Sequence, residues 1–96
     1  MFYWVDKQTV RSDAGVTIQR IDRFHLKYID GQQALVFAIE SGWDAKKNRP
    51  ANYIVVPPAD QITGPIPVSA PEREKMVKNL EEALEFKGLT PYVVEK

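Results

Sequence analysis

Apolar and polar residues alternate on both sides of Asp30-Gly31, and this pattern predicts a β-hairpin over residues 21–40. Asp-Gly between two apolar runs is a strong hairpin signal, because a type I′ turn needs positive φ at both central residues. With these two residues as the loop, Leu26 pairs with Leu35, and alternate side chains form one apolar face. The predicted apolar face comprises Phe24, Leu26, Leu35 and Phe37.

A second pattern predicts one helix over residues 70–87, packed on that apolar face. Ser69 and Glu72 have the spacing of a capping box, in which each side chain accepts a hydrogen bond from the other residue's backbone N–H. Gly88 is the expected C-terminal cap, because glycine adopts positive φ at no steric cost. The apolar residues recur at helical spacing and form a stripe of Met76, Val77, Leu80, Ala83 and Leu84.

Shorter apolar runs predict the remaining strands. They cover residues 2–10, 53–56 and 90–95, and residues 16–29 form one long strand with a bulge or bend near residues 20–23. Connections are predicted over residues 43–52 and 57–69. The order is therefore β-β-β-β-α-β. The predicted fold class is α+β, a mainly antiparallel sheet of four to five strands with one C-terminal helix on one face, in a single domain over residues 1–96.

Composition excludes several classes of protein. Lys plus Arg and Asp plus Glu number 13 each, so net charge gives no support for binding to nucleic acid or to an anionic membrane. The chain has no cysteine, which excludes disulfides and thiolate metal sites and is compatible with a reducing cytoplasm, where we expect the protein. The apolar residues 1–5 lack the basic start of a signal peptide, and no apolar run approaches the ~20 residues of a transmembrane helix.

Residues with catalytic or metal-binding chemistry are sparse. His25 is the single histidine, Arg23 and Lys27 flank it on the same strand face, and no acid has the local spacing that would orient it as a general base. Metal ligands are restricted to oxygen atoms, and the spacing of a calcium-binding loop does not occur. The glycines are isolated, so no phosphate-binding loop is predicted. We therefore expect a protein that is not an enzyme and has no cofactor and no metal.

Two groups of residues are candidates for a partner-binding surface. The first is a predicted loop with a tryptophan and three cations, followed by a tyrosine: Trp43, Lys46, Lys47, Arg49 and Tyr53. Trp and Arg often carry interface energy, and an aromatic ring with cations also suits stacking of a base beside its phosphate. The alternative is a solvated loop with Trp43 packed on the sheet edge. The second group is the basic strand face of Arg23, His25 and Lys27, which either extends the first surface or is only the solvated side of the sheet.

The C-terminal third of the chain resembles a known group of proteins. The residues that carry the resemblance are Pro65-Ile66-Pro67, Glu72-Arg73, Met76, Asn79, Ala83-Leu84, Phe86, Gly88 and the valine-rich strand that follows. This string is similar to small uncharacterised bacterial α+β proteins, some of which are thought to be immunity proteins of polymorphic toxin systems. The resemblance implies a cytoplasmic, non-enzymatic protein that binds a partner protein, and it implies no particular site residue.

Three functional hypotheses remain. The favoured hypothesis is a small protein-interaction module whose partner is not identified. An immunity protein is one example of such a module. The alternative is a weak nucleic-acid-binding protein that uses the basic loop and strand face, which would show a salt-dependent affinity. The third is a housekeeping enzyme of unrecognised type. The oligomeric state is also open, a dimer included, because exposed strand edges can pair between copies.

Overall fold

A computed structural model describes residues 1–95 of the chain and shows one seven-stranded sheet with a helix on one face. The strands follow chain order across the sheet, and each neighbouring pair is antiparallel except β6 and β7, which are parallel. A parallel pair requires a crossover, and the helix α1 provides it. The elements are β1 (Phe2–Asp6), β2 (Thr9–Ser12), β3 (Val16–Asp22), β4 (His25–Asp30), β5 (Gln33–Asp44), β6 (Arg49–Val55), a 3₁₀-helix (Ala59–Gln61), α1 (Ala70–Phe86) and β7 (Thr90–Val94).

The α+β class and the mainly antiparallel sheet are confirmed, but the prediction of four to five strands is wrong. The predicted strands over residues 2–10 and 16–29 each fold back on themselves and contribute two strands. An aspartate closes each of these turns: Asp6 Oδ1 accepts the Gln8 N–H at 2.8 Å, and Asp22 Oδ1 accepts the Phe24 N–H at 2.7 Å. These are Asx turns, in which a short side chain replaces a backbone acceptor. The expected bulge near residues 20–23 lies beside the second turn.

The central hairpin forms with a register two residues away from the predicted one. Asp30 pairs with Gln33, so the loop is Gly31-Gln32, and Tyr28 rather than Leu26 faces Leu35. Gly31 has φ 60° and Gln32 has no positive φ, which is the pattern of a type II′ turn and not of type I′. Because side chains alternate with a period of two, a shift of two residues leaves the side chains of the paired residues 25–30 and 33–38 on their predicted faces.

Phe24 does not join the apolar face on which the helix packs. It lies in the turn between β3 and β4 and is 59% exposed. Tyr28 occupies the interior instead, and its hydroxyl accepts a hydrogen bond from Asn79 Nδ2 at 3.0 Å. The core therefore gains an aromatic ring whose polar atom is satisfied by the helix.

The helix forms as its sequence predicts, with α1 ending one residue before the predicted Lys87. The capping box between Ser69 and Glu72 is present. At the other end Gly88 has φ 82° and donates to the Glu85 carbonyl at 3.0 Å, and Leu89 donates to the Leu84 carbonyl at 2.9 Å. This pair of bonds is a Schellman motif. Val77 of the predicted stripe is half-buried, and the buried members are Met76, Leu80, Ala83 and Leu84.

The sheet is rolled around the C-terminal end of α1. Phe86 at this end packs on Trp4 of β1, with ring centroids 5.7 Å apart. The same end leads within a few residues into β7, which begins at Thr90. Since β1 and β7 are opposite edges of the sheet, both edges approach one helix end only if the sheet is strongly curved. The core fills the concave side, and the convex face has no helix on it in residues 1–95.

Candidate functional site

Three turns and the C-terminal end of α1 meet at one end of the sheet, which we call the turn end. The β1–β2 turn at Lys7-Gln8, the β3–β4 turn at Arg23-Phe24 and the β5–β6 loop at residues 45–48 lie there, because alternate turns of an antiparallel meander share one end. The start of β7 beside Ala51 brings the end of α1 to the same place. All but two of the sequence-predicted site residues lie on or beside these turns; Tyr53 and Lys27 stand further along their strands.

The predicted loop over residues 43–52 is for the most part a pair of strands, and only residues 45–48 form the loop. Trp43 pairs with Pro50 and Asp44 with Arg49. The pairing of β4 with β5 ends at His25 and Ala38. Beyond that point β5 pairs only with β6, and the two strands extend past the β3–β4 turn. We call this extension, residues 40–53, the hairpin arm. Trp43 is 58% exposed on this arm, which decides between the exposed and the packed alternatives.

Asp44 shapes the tip of the hairpin arm. Its side chain is buried, and Oδ1 accepts the backbone N–H groups of Lys46 at 3.1 Å and Lys47 at 3.3 Å. Burial raises the pKa of Asp44, but these N–H groups and the hydroxyls of Thr90 and Tyr92 lower it more, so the pKa lies below its ordinary value. The tip is therefore ordered by an ionised carboxylate, and the ammonium groups of both lysines project from an ordered backbone.

Arg49 belongs to the scaffold of the arm and not to a free rim. Its guanidinium donates to Thr90 Oγ1 at 2.8 Å, to the Leu89 carbonyl at 2.9 Å and to Glu85 Oε2 at 2.9 Å. Tyr53 is also engaged: its ring stacks on Tyr92 with centroids 5.1 Å apart. Of the first predicted group, Trp43, Lys46 and Lys47 remain exposed without such contacts in residues 1–95.

The second predicted group does not form one surface. Lys27 alternates with the buried Leu26 and therefore lies on the convex face, whereas Arg23 lines a cavity on the concave side. His25 is bonded through Nδ1 to both carboxylate oxygens of Asp22, at 2.9 and 3.0 Å. The expectation that no acid would orient His25 is wrong, because the β3–β4 turn brings Asp22 beside it.

The Asp22 carboxylate is held in its ionised form. The backbone N–H of Phe24 lowers the pKa of Asp22, and the hydrogen bond with His25 lowers it further. The two side chains are about half exposed, 45% for His25 and 55% for Asp22. This arrangement closes the turn and fixes the imidazole ring at its rim.

A cavity of ≈ 690 Å³ lies at the turn end, between the β1–β2 and β3–β4 turns and the C-terminal end of α1. The cavity is open to solvent over much of its extent, and its volume is in the range of small-molecule sites. The lining has an apolar part of Trp4, Ile21, Leu26, Leu84 and Leu89, and a polar part of Lys7, Gln8, Arg20, Asp22, Arg23, Asn52 and Lys87.

Positive charge dominates the polar lining. It holds four cations and one acid, Asp22, which is already bonded to His25. None of the four cations forms a salt bridge within residues 1–95. Burial lowers the pKa of Lys87, and the positive charge of Arg20 lowers it further, against the opposing effect of Asp6. The Lys87 ammonium also stands 5.8 Å from the centroid of the Trp4 ring.

Arg20 donates hydrogen bonds to backbone carbonyls and forms no salt bridge within residues 1–95. The guanidinium donates to the carbonyls of Asp22 at 3.0 Å and Arg23 at 2.8 Å. These bonds hold the β3–β4 turn against the cavity, but a carbonyl neutralises no charge. The cavity therefore has a fixed cationic wall.

Asn52, which also lines the cavity, has an unpaired side-chain acceptor that is sealed from solvent. The residue is 3% exposed, its Nδ2 donates to the adjacent Ala51 carbonyl at 2.8 Å, and its Oδ1 has no donor among the described residues. Buried polar atoms of this kind are uncommon, because each one loses its hydrogen bonds to water. Sequence reasoning placed Asn52 in a loop and missed it.

Apart from Arg23, the other cavity residues were also missed, for a common reason. Trp4 stands at the start of an apolar strand and Lys87 at the end of the helix, and neither position by itself indicates a binding site. The aspartates at positions 6 and 22 are the signal that could have found the two turns. The convergence of those turns on the end of α1 has no local signal.

Comparisons with known proteins assign the chain to no family. No protein-family model and no curated protein matches the sequence, and no solved structure matches the fold. Within residues 1–95, no helix combines the length and the apolar character needed to cross a membrane. A function must therefore be inferred from the geometry of the turn end.

Proposed function

We propose that the protein is a non-enzymatic interaction module that binds an acidic partner protein through the hairpin arm. The observation that carries this proposal is the 58% exposure of Trp43 on an arm whose base and tip are fixed by Arg49 and Asp44. Tryptophan often carries interface energy because its large flat ring has a polar N–H. A ring on a fixed base loses little conformational entropy on binding, which favours affinity.

Charge supports an acidic partner. Lys46 and Lys47 are exposed beside Trp43, and neither forms a salt bridge in the described part of the chain. Exposed cations of this kind accelerate association with an acidic surface more than they add to the final affinity. The second half of α1 is acidic instead: Glu81 and Glu82 are exposed and form no salt bridge within residues 1–95, whereas Glu85 is paired with Arg49. An acidic partner would therefore be attracted to the arm and repelled by the helix.

The proposal assigns no catalysis to His25 and Asp22, the one histidine–carboxylate pair of the chain. Asp22 accepts the Phe24 N–H as well as the imidazole hydrogen bond, so the pair is explained by closure of the β3–β4 turn. An immunity protein that acts in the cytoplasm on a toxin domain is one form of such a module, as the resemblance of the C-terminal third implies.

Capture from a lysate of the source organism, followed by titration of the purified captured protein, tests the proposal. The immobilised baits are the wild type, Trp43→Ala, Lys46→Gln/Lys47→Gln and the charge-matched helix control Lys75→Gln/Lys78→Gln. We expect the control to keep wild-type affinity and Trp43→Ala to weaken it at least about tenfold, as for an interface hot spot. The double lysine variant should mainly slow association.

Two outcomes contradict the proposal. One is a captured partner whose affinity is the same for wild type and Trp43→Ala. The other is binding to single-stranded or duplex oligonucleotides that weakens between two salt concentrations and is lost in Lys46→Gln/Lys47→Gln, which would establish the nucleic-acid alternative. Nuclease treatment of the lysate before capture separates these cases.

A further inference from the structure

We infer that the cavity at the turn end is a binding site for a small organic anion with an apolar or aromatic body. The site is distinct from the hairpin arm, since Trp43, Lys46 and Lys47 do not line it. Three observations support it: the apolar part of the lining, the excess of cations over acids in its polar part, and the buried acceptor of Asn52.

The apolar part of the lining suits the body of the ligand. Trp4 stands at the opening with half of its surface exposed, Ile21 is also exposed, and the fully buried Leu26 and Leu84 lie behind the surface of the cavity. Small-molecule sites combine such an apolar wall with a few polar groups that orient the ligand. An indole at the opening can stack on a flat ring, so an aromatic body is favoured over an aliphatic chain.

The cationic wall requires the ligand to be an anion. Arg20 and Lys87 approach each other closely enough for the Arg20 charge to oppose protonation of Lys87. Arg23 and Lys7 complete the wall from the two turns. Arg20 and Lys87 are partly buried and repel each other, Lys7 and Arg23 are exposed, and Asp6 offsets part of the Lys87 charge. The wall therefore keeps an excess of positive charge, and an anion placed there reduces the repulsion and gains charge-assisted hydrogen bonds.

Asn52 gives the cavity lining a buried polar group. Its Oδ1 is buried without a donor among the described residues, and the residue lines the cavity. Contact with a ligand N–H or O–H group requires the Asn52 side chain to turn, because Oδ1 has no surface open to the cavity in this structure. An unpaired buried acceptor and the repulsion between Arg20 and Lys87 are both unfavourable in the unliganded protein. Proteins keep unfavourable groups of this kind chiefly at functional sites.

A matched pair of dyes tests the inference. The probe 1-anilinonaphthalene-8-sulfonate has an aromatic body, an N–H donor and a negative charge, and N-phenyl-1-naphthylamine has the same body and donor without the charge. Both become fluorescent when they bind in an apolar site. We expect the sulfonate to bind with one-to-one stoichiometry and at least about tenfold tighter than the neutral dye, because one charge interacts with the cationic wall.

Variants identify the groups responsible. Lys7→Met/Lys87→Met should reduce the preference for the sulfonate over the neutral dye at least about tenfold, and the exposed helix substitution Lys78→Met should leave it unchanged. The ratio of the two affinities is the decisive quantity, because a merely apolar change in the cavity would alter both dyes alike. Equal binding of the two dyes to the wild type, or an unchanged ratio in the double variant, would overturn the inference.

Nuclear magnetic resonance locates the bound sulfonate. In the amide and indole spectrum, the Trp4 Nε1–H signal and the Asn52 side-chain amide should shift on titration, while the Trp43 indole signal stays in place. A shift of the Trp43 indole without one at Trp4 would place the dye on the hairpin arm and refute the cavity site. Trp43→Ala removes only a side chain of the hairpin arm and changes no residue of the cavity lining. The sulfonate should therefore bind this variant with wild-type affinity. The two proposals can therefore fail independently. Loss of partner binding at the hairpin arm does not affect dye binding in the cavity, and absence of dye binding does not affect partner binding at the arm.

Discussion

Arg49 and Glu85 join the base of the hairpin arm to the last turn of α1 through an ion pair of 2.9 Å. The two residues are 36 positions apart in the chain. The same guanidinium also donates to the Leu89 carbonyl and to Thr90 Oγ1. One side chain therefore ties together the arm, the helix end and the start of β7, and it sets the position of Trp43 relative to the rest of the protein.

Arg49→Ala should lower the free energy of unfolding by about 2–3 kcal/mol, because it removes three charge-assisted hydrogen bonds and leaves the Leu89 carbonyl without its side-chain donor. Glu85→Ala should lower it by less than about 1 kcal/mol, since that carboxylate is half exposed and screened by solvent. Urea denaturation of both variants measures the difference. Equal effects would show that the ion pair, and not the backbone contact, holds the arm.

Trp43→Ala should change stability by less than about 1 kcal/mol, because more than half of the side chain is in water. Leu80→Ala is the matched core substitution, at a residue with no exposure, and should lower the free energy of unfolding by about 2–5 kcal/mol. Thermal and urea unfolding separate the two. A loss of several kcal/mol in Trp43→Ala would make the ring structural and remove the anchor of the proposed partner site.

Asn52→Leu should raise the free energy of unfolding by about 1 kcal/mol. The substitution replaces a buried, unpaired acceptor by an apolar group of similar size, and the hydrogen bond it removes is a local one to Ala51. Asn79→Leu is the control, because Asn79 donates to the Tyr28 hydroxyl and its loss should be destabilising. If Asn52→Leu destabilises as much as Asn79→Leu, the Asn52 amide has a structural role that its contacts do not show.

Stability should fall in acid partly through Asp44. Its pKa is lower in the folded protein than the ordinary 3.8, so the unfolded chain binds the proton more readily. The contribution of Asp44 is therefore complete above the unfolded pKa and is lost as pH falls through the folded pKa. Asp44→Asn does not titrate, so the stability difference between wild type and Asp44→Asn should shrink as pH falls from 6 towards 3. A difference that is constant over this range would contradict the role of the ionised carboxylate.

The helix and the faces of the central hairpin were predictable from the sequence because the signals are local. The capping box joins residues three positions apart, and the two bonds of the Schellman motif span three and five positions. The two faces of the hairpin strands were predicted correctly although the register was wrong, because a shift of two residues does not change the face on which a side chain lies. The β1–β2 and β3–β4 turns were also within reach of local reasoning, through the Asx turns at Asp6 and Asp22. The prediction instead joined the apolar residues on both sides of each turn into one strand.

The candidate sites depended on contacts between distant parts of the chain. Trp43, Lys46 and Lys47, which were predicted as part of a partner-binding surface, are exposed at or beside the β5–β6 loop, but Arg49 and Tyr53 contact Glu85, Leu89 and Tyr92.

The cavity arises because the rolled sheet brings Trp4 and Arg20 to Lys87, more than 60 positions further along the chain. Local alternation and capping act over a few residues and determine which elements form and which face is apolar. The curvature of the sheet is set by the packing of seven strands around one helix, and only the folded chain decides which charges meet.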